Sequence, residues 1–223
     1  MSSSPTVQPA LQPQLDAVKA HVKNVLPAEV ISIFLDDAAA MSSPEFTARA
    51  LREGAPAPRF TLPNAAGQPV SLAELLAHGP VVLTFYRGAW CPYCNIQLKA
   101  YQGILAEVQA LGASLVAISP QKPDGSLSIK EKNDLQFEVL SDAGNGVARQ
   151  FGLVYTLRQL SQETSQKLGN DIGAANADGT WDLPVPATYV LDRAGQIRLA
   201  YVEGDYTRRL EPARILEALR ELA

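Results

Sequence analysis

One stretch constrains this chain more than any other: Val81-Val82-Leu83-Thr84-Phe85-Tyr86, followed closely by Trp90-Cys91-Pro92-Tyr93-Cys94. The first run is apolar and β-prone, the pattern of a central strand buried on both faces. Pro92 suits the first turn of a helix, where the missing N–H costs nothing. A buried strand therefore delivers two cysteines to a strand-to-helix junction. Unpaired N–H groups at a helix start favour an anion, so a thiolate there is stabilised and its pKa falls below the free value of about 8.5. More of such a sulfur is in the nucleophilic form, and it leaves more readily. The spacing sets both sulfurs on one helical turn, where one cysteine can resolve an oxidised partner. Arg87 adds positive charge just before the motif, and Trp90 shields it on one side.

These are the only two cysteines in 223 residues. A disulfide framework would use more of them, placed far apart. The alternatives are a pair of small core residues, which the flanking Trp90 and Pro92 argue against, and zinc. Zinc needs four ligands, and neither His21 nor His78 has ligand spacing to the cysteines. No metal or cofactor is expected. The formal net charge of −4 comes without a basic stripe, which argues against nucleic acid. No apolar run reaches the roughly 18 residues that a membrane span requires. The first residues show neither a basic start nor an apolar stretch, so a cytoplasmic location is the expectation.

Around the motif, strands alternate with helices, and α/β layers with a mixed sheet are expected. Short strands are read at Phe60–Leu62, Leu115–Ile118 and Phe137–Leu140, and Ser71 is read as the cap of a short helix. One helix runs through Tyr101, Ile104, Leu105 and Val108 and stops at Gly112. Val147–Phe151 forms another. Thr188–Leu191 and Gln196–Val202 form a hairpin around Asp192-Arg193-Ala194-Gly195, and Ile215, Leu216, Leu219 and Leu222 mark a last amphipathic helix. The polar stretch 157–183 reads as an insertion, part helix and part loop. Residues 1–50 read as an N-terminal helical extension, disordered to about residue 13, on a main domain of 51–223; Leu11, Leu15, Val18, Val22 and Val25 mark its first helix. The extension packs on the main domain or on a second subunit.

Pro186 stands directly before the strand Ala187-Thr188-Tyr189-Val190-Leu191. In the cis form it would present backbone groups beside the cysteines; otherwise it is an ordinary strand-start proline. In Asp205-Tyr206-Thr207-Arg208-Arg209, Asp205 or Thr207 can cap the last helix with both arginines in solvent, or one arginine, Arg208, can face the thiolate.

Together these motifs resemble the peroxiredoxin-like branch of the AhpC/TSA family. The resemblance rests on Gly54-x-Pro56-x-Pro58-x-Phe60-x-Leu62, on the strand and cysteine motif from Val81 to Cys94, on Leu183–Asp192 and on Asp205–Arg209, and it covers roughly residues 50–222. It implies a thioredoxin fold and reduction of peroxides or disulfides, with electrons from a thioredoxin- or glutaredoxin-type donor; many relatives are homodimers. Typical members carry Pro-x-x-x-Thr-x-x-Cys, whose cysteine attacks peroxide. Laid over this chain, that cysteine is Cys94, the threonine is Cys91 and the proline is Arg87. The late-strand arginine of typical members is replaced by Pro186. Cys91, Cys94 and Pro186 reproduce instead the thioredoxin pattern, in which the first cysteine attacks, with Trp90, Pro92 and Tyr93 in support. Three functions follow: a thiol peroxidase, a disulfide reductase, or a redox-responsive interaction protein that uses its N-terminal helices. Which cysteine attacks stays open at this level.

Overall fold

A computed structural model describes residues 10–222; the first nine residues, part of the stretch expected to be disordered, lie outside the described residues. Three helices come first: α1 (Leu11–Val25), α2 (Ala28–Met41) and α3 (Pro44–Thr47), the last capped by Ser43, whose hydroxyl accepts from Phe46 N. Then follow β1 (Thr61–Pro63), β2 (Pro69–Ser71), α4 (Leu72–His78), β3 (Val81–Phe85), α5 (Pro92–Gly103), α6 (Leu105–Ala110), β4 (Ser114–Ser119), α7 (Pro123–Lys132), β5 (Glu138–Ser141) and α8 (Gly146–Gln150). The chain closes with β6 (Val154–Thr156), α9 (Gln159–Lys167), α10 (Ile172–Ala175), β7 (Asp182–Pro184), β8 (Ala187–Leu191), β9 (Ile197–Val202) and α11 (Pro212–Arg220).

The central sheet has the order β5-β4-β3-β8-β9, with β3, β4 and β5 parallel and β8 and β9 antiparallel to their neighbours. Every residue of β3 is buried. Alternation explains why the run has to be apolar on both faces. Val82 joins Tyr101, Leu98 and Ile215 on one side, while Val81, Leu83 and Phe85 join Phe151 and Tyr189 on the other. The β8–β9 turn is built by Asp192, whose carboxylate accepts from Ala194 N and Gln196 N at 2.9 Å each, and by Gly195 at φ 78°. Among the described residues no helix is long and apolar enough to cross a membrane.

Three local expectations are corrected. Ser71 sits at the N-cap of α4 without a side-chain capping bond, and the first helical N–H, that of Leu72, donates instead to Phe60 O at 3.1 Å. The helix expected through Tyr101 and Val108 breaks at Ile104 (φ −102°, ψ 2°) just after Gly103, a weak helix former, although Tyr101, Ile104, Leu105 and Val108 are all buried and Gly112 does end α6 at φ 71°. The stretch 157–183 holds α9 and α10, but its end pairs antiparallel with β6 through Tyr155↔Leu183, a strand too short to show periodicity.

The N-terminal helices lie against the sheet domain. Leu11 and Leu15 are fully buried in the cluster that holds Tyr101. The Glu211 carboxylate, just before α11, accepts from Leu11 N and Gln12 N at 2.8 Å each and so caps α1. Arg158 ties α2 to α9 by pairing with buried Asp37 and donating to Ile33 O at 2.9 Å. At Gly204 a Cβ would meet Ser42 N at 2.4 Å and Met41 C at 2.5 Å. Both are backbone atoms, which cannot swing aside. Gly204→Ala should therefore cost about 1–3 kcal/mol, as overpacking does, and should loosen α2 first. A lower melting temperature with faster proteolysis between α1 and α2 is the expected reading; an unchanged melt would show that this contact contributes nothing.

Candidate active site

The sheet places the cysteines by continuing β3: Tyr86 N still donates to Ile118 O at 3.0 Å before the chain turns. Gly88 makes that turn at φ 154°, and a Cβ there would meet Trp90 Nε1 at 2.4 Å, so only glycine suits it. Cys91 occupies the N-cap of α5 (φ −84°, ψ 116°), Pro92 the first helical position, and Cys94 the first turn. The loop is held by amides. Asn95 Nδ2 donates to Ala89 O and Cys91 O at 2.8 Å each, and Gln121 Oε1 accepts from Ala89 N at 2.6 Å. Both cysteines are free thiols, 1% and 0% exposed.

Their titration is split. Burial pushes the Cys91 thiol up, and its hydrogen bond to Cys94 holds the proton on it more firmly. Burial alone would raise Cys94 as well, but the bond from Cys91, the Arg209 charge, the Arg87 backbone N–H and the Arg87 charge together bring it down to about 5. The pair thus shares one proton across the neutral range, with Cys91 as donor and Cys94 as thiolate. Cys91 thus supplies Cys94 with the hydrogen bond that a hydroxyl in its place would make.

The arginine beside the sulfur is Arg209. Its Nη2 lies 3.8 Å from Cys94 Sγ, while Arg208 points to solvent. The segment before Pro212 is not helical, so consecutive side chains diverge: Thr207 and Arg209 are buried and Arg208 is exposed. Arg209 is fixed by Gln97, whose Oε1 accepts from Nε at 2.8 Å, and by the carbonyls of Tyr206 and of Arg208, the latter at 2.8 Å. Gln97 is fixed in turn by Thr84 and Tyr101, each 3.2 Å from its Nε2. Sequence reading missed Gln97 altogether; its only signal was a polar residue on the buried face of a helix.

Pro186 is buried before β8, and its peptide bond is trans, since no cis bond occurs among the described residues. The cis arrangement is therefore set aside. Arg87 is 5% exposed and stacked, its guanidinium carbon 5.0 Å from the Trp90 ring centroid and 4.3 Å from that of Tyr206; Tyr93 meets Tyr206 edge-on at 5.7 Å. A cavity of about 150 Å³ opens here, lined by Cys91, Arg87 and Trp90 of the motif loop, by Val22 of α1, Phe34 of α2 and Leu168 after α9. Cys94 does not line it. Three larger hollows, about 280, 320 and 180 Å³, are lined by Arg59 and Arg193, by Lys19 and Arg208, and by Gln109 and Gln136, with no cysteine in any of them. Among the described residues no three His, Cys, Asp or Glu side chains gather as a metal set.

Residues 54–200 match the AhpC/TSA family. The peroxiredoxin Q of Sedum lineare is 31% identical over 149 residues, which are 67% of this chain and 68% of that protein. That of Suaeda salsa is 32% identical over 67% of this chain and 59% of its own length. Among solved structures, peroxidoxin BcpB of Mycobacterium tuberculosis superposes with a TM-score of 0.61 at 26% identity, covering 78% of this chain and 99% of that one. Peroxiredoxin Q of Xanthomonas campestris superposes at 0.55 with 18% identity over 73% of this chain and 90% of that one, a likeness of fold.

Proposed function

The chain belongs to the AhpC/TSA family, and from that premise we propose that it is a thiol peroxidase in which Cys94 attacks the peroxide and Cys91 resolves it. The observation that carries this is the place of the Cys94 sulfur, 3.8 Å from Arg209 Nη2, where the bond from Cys91, the Arg209 charge and the Arg87 charge hold its pKa down. The thiolate attacks the terminal peroxide oxygen and the O–O bond breaks. Cys94 becomes a sulfenic acid, and the leaving alkoxide or hydroxide takes the Cys91 proton. Cys91, now a thiolate, attacks the sulfenic sulfur and expels hydroxide, which solvent protonates, leaving the Cys91–Cys94 disulfide. Arg209 and Arg87 stabilise negative charge through both displacements. An external thiol, of which a thioredoxin- or glutaredoxin-type donor is the family's example, attacks Cys91 and releases Cys94, the better leaving group.

Stopped-flow mixing of reduced protein with stoichiometric hydrogen peroxide, followed by tryptophan fluorescence, tests this. Oxidation far faster than that of a free thiol at the same pH supports it; a free-thiol rate refutes it. One observation favours a second reading, disulfide reduction: Cys91, not Cys94, lines the cavity. There Cys91 would attack, and Cys94→Ser would trap a mixed disulfide with the substrate.

The pH profile of oxidation has a definite sign. A thiol depressed to about 5 is ionised above that pH, so the rate should be flat from roughly pH 6.5 upward and fall about tenfold per unit below pH 5. A rate still climbing tenfold per unit through neutrality would show an unperturbed thiol.

A further inference from the structure

Arg87 is a buried cation with no carboxylate within ion-pair distance among the described residues. Its Nε has no hydrogen-bond partner. In the reduced protein the Cys94 thiolate offsets that charge in part; once the disulfide forms, the thiolate is gone and a buried cation without a counter-ion is costly. Stacking between Trp90 and Tyr206 holds the guanidinium flat and offsets part of that cost. Arg87 and Cys91 line the same cavity, with Asn170 and Ser165 also in its lining and apolar walls from Val22, Phe34 and Leu168. At about 150 Å³ the space suits a molecule of amino-acid size. A sulfur 1% exposed behind α1 and α2 is poorly placed to meet the surface of a folded donor.

We infer that this cavity binds a small carboxylate-bearing thiol, its carboxylate on the Arg87 fork and its sulfur against Cys91, as the reductant that reopens the disulfide. The inference rests on the Cys91–Cys94 redox pair of the proposed function. The bound thiolate attacks Cys91 Sγ, forming a mixed disulfide and releasing Cys94 as thiolate. A second thiol molecule attacks the mixed disulfide, so that two thiols leave as one oxidised disulfide and both cysteines are reduced, with the two thiol protons taken up by the cysteine pair or solvent. A planar guanidinium pairs with a carboxylate through two parallel N–H bonds, which an ester cannot reproduce.

The test starts from protein oxidised with diamide, so it does not depend on reactivity toward peroxide. Its disulfide is reduced with N-acetylcysteine and with N-acetylcysteine methyl ester at equal thiolate concentrations. The acid should be faster by about tenfold or more, the worth of one charge-assisted hydrogen bond, and its rate should saturate. Arg87→Met should slow both thiols by weakening Cys94 as leaving group, and should bring the ratio of acid to ester rates down to about one. In wild-type protein N-acetylalanine should compete with N-acetylcysteine, a readout that needs no variant. Equal rates for acid and ester, or a preference that survives Arg87→Met, would overturn the inference. So would a thioredoxin that outpaces N-acetylcysteine at equal thiolate concentration. Discrimination found only when reduced protein is oxidised by a carboxylated hydroperoxide and its ester would assign the cavity to the oxidant instead. Slow oxidation by every peroxide, with the acid preference intact, would sink the peroxidase reading and leave this one standing.

Discussion

Replacing Cys94 with serine should abolish the fast reaction with hydrogen peroxide, lowering the second-order rate by on the order of 10⁴-fold or more, the scale expected when a covalent nucleophile is lost. The remaining Cys91 is a poor substitute. Its thiol is pushed up chiefly by burial, which remains even though the bond to Cys94 that helped hold its proton is lost. Cys91→Ser should behave otherwise. A hydroxyl there still donates to the thiolate, so the first oxidation should keep most of its rate, but no disulfide can form and a sulfenic acid on Cys94 should accumulate, trappable with dimedone. Cys91→Ala removes the donor too. A hydrogen bond to a charged group is worth about 1.5–3 kcal/mol, so the Cys94 pKa should rise by about one to two units. Thiolate absorbance at 240 nm against pH measures it. If Cys94→Ser consumes peroxide at the wild-type initial rate and Cys91→Ser does not, the attacking cysteine is Cys91.

Much of this site could be read from local sequence, and the rest depends on contacts between distant parts of the chain. The strand Val81–Phe85, the junction after it and Pro92 at the helix start are local, and a buried strand followed by a helix-start motif leaves few alternatives. The antiparallel hairpin around Asp192 was equally plain, because Asp and Gly at those positions serve a turn. Arg209 was not. It reaches Cys94 across 115 positions of sequence, and nothing local ranks it above Arg208. The choice is made by the path of the segment before Pro212, which turns one arginine inward and the next outward. The cover provided by α1 and α2 was legible as two helices but not as walls of a cavity, because Val22 and Phe34 look like any apolar helix positions until the helices are docked by Glu211 and Asp37.

Arg209→Met should be the most damaging change outside the cysteines, slowing oxidation of reduced protein by roughly 10²–10³-fold, the cost of removing one preorganised donor from a charged site. Two effects act in the same direction. The Arg209 charge helps to overcome the burial that would otherwise protonate Cys94, so without it the thiolate fraction at neutral pH falls. The same guanidinium is the protein cation at hydrogen-bonding distance from the reacting sulfur, 3.8 Å away, and is placed to stabilise charge as the O–O bond breaks. Raising pH should restore the first effect and not the second. The variant's rate should climb with pH where wild type is flat, and should still end below it. Lysine should rescue little. A compact ammonium cannot bond Gln97, the Tyr206 carbonyl and the Arg208 carbonyl while also facing the sulfur. Stability should suffer as well, since Gln97 Oε1 loses its partner inside the core, at about 1–3 kcal/mol for an unpaired buried acceptor. Arg208→Met controls for general loss of positive charge near the site and should leave oxidation within about twofold, as exposed charges contribute little. Equal loss in both variants would mean that the electrostatics of the segment, not the contact of Arg209 with Cys94, governs the thiolate.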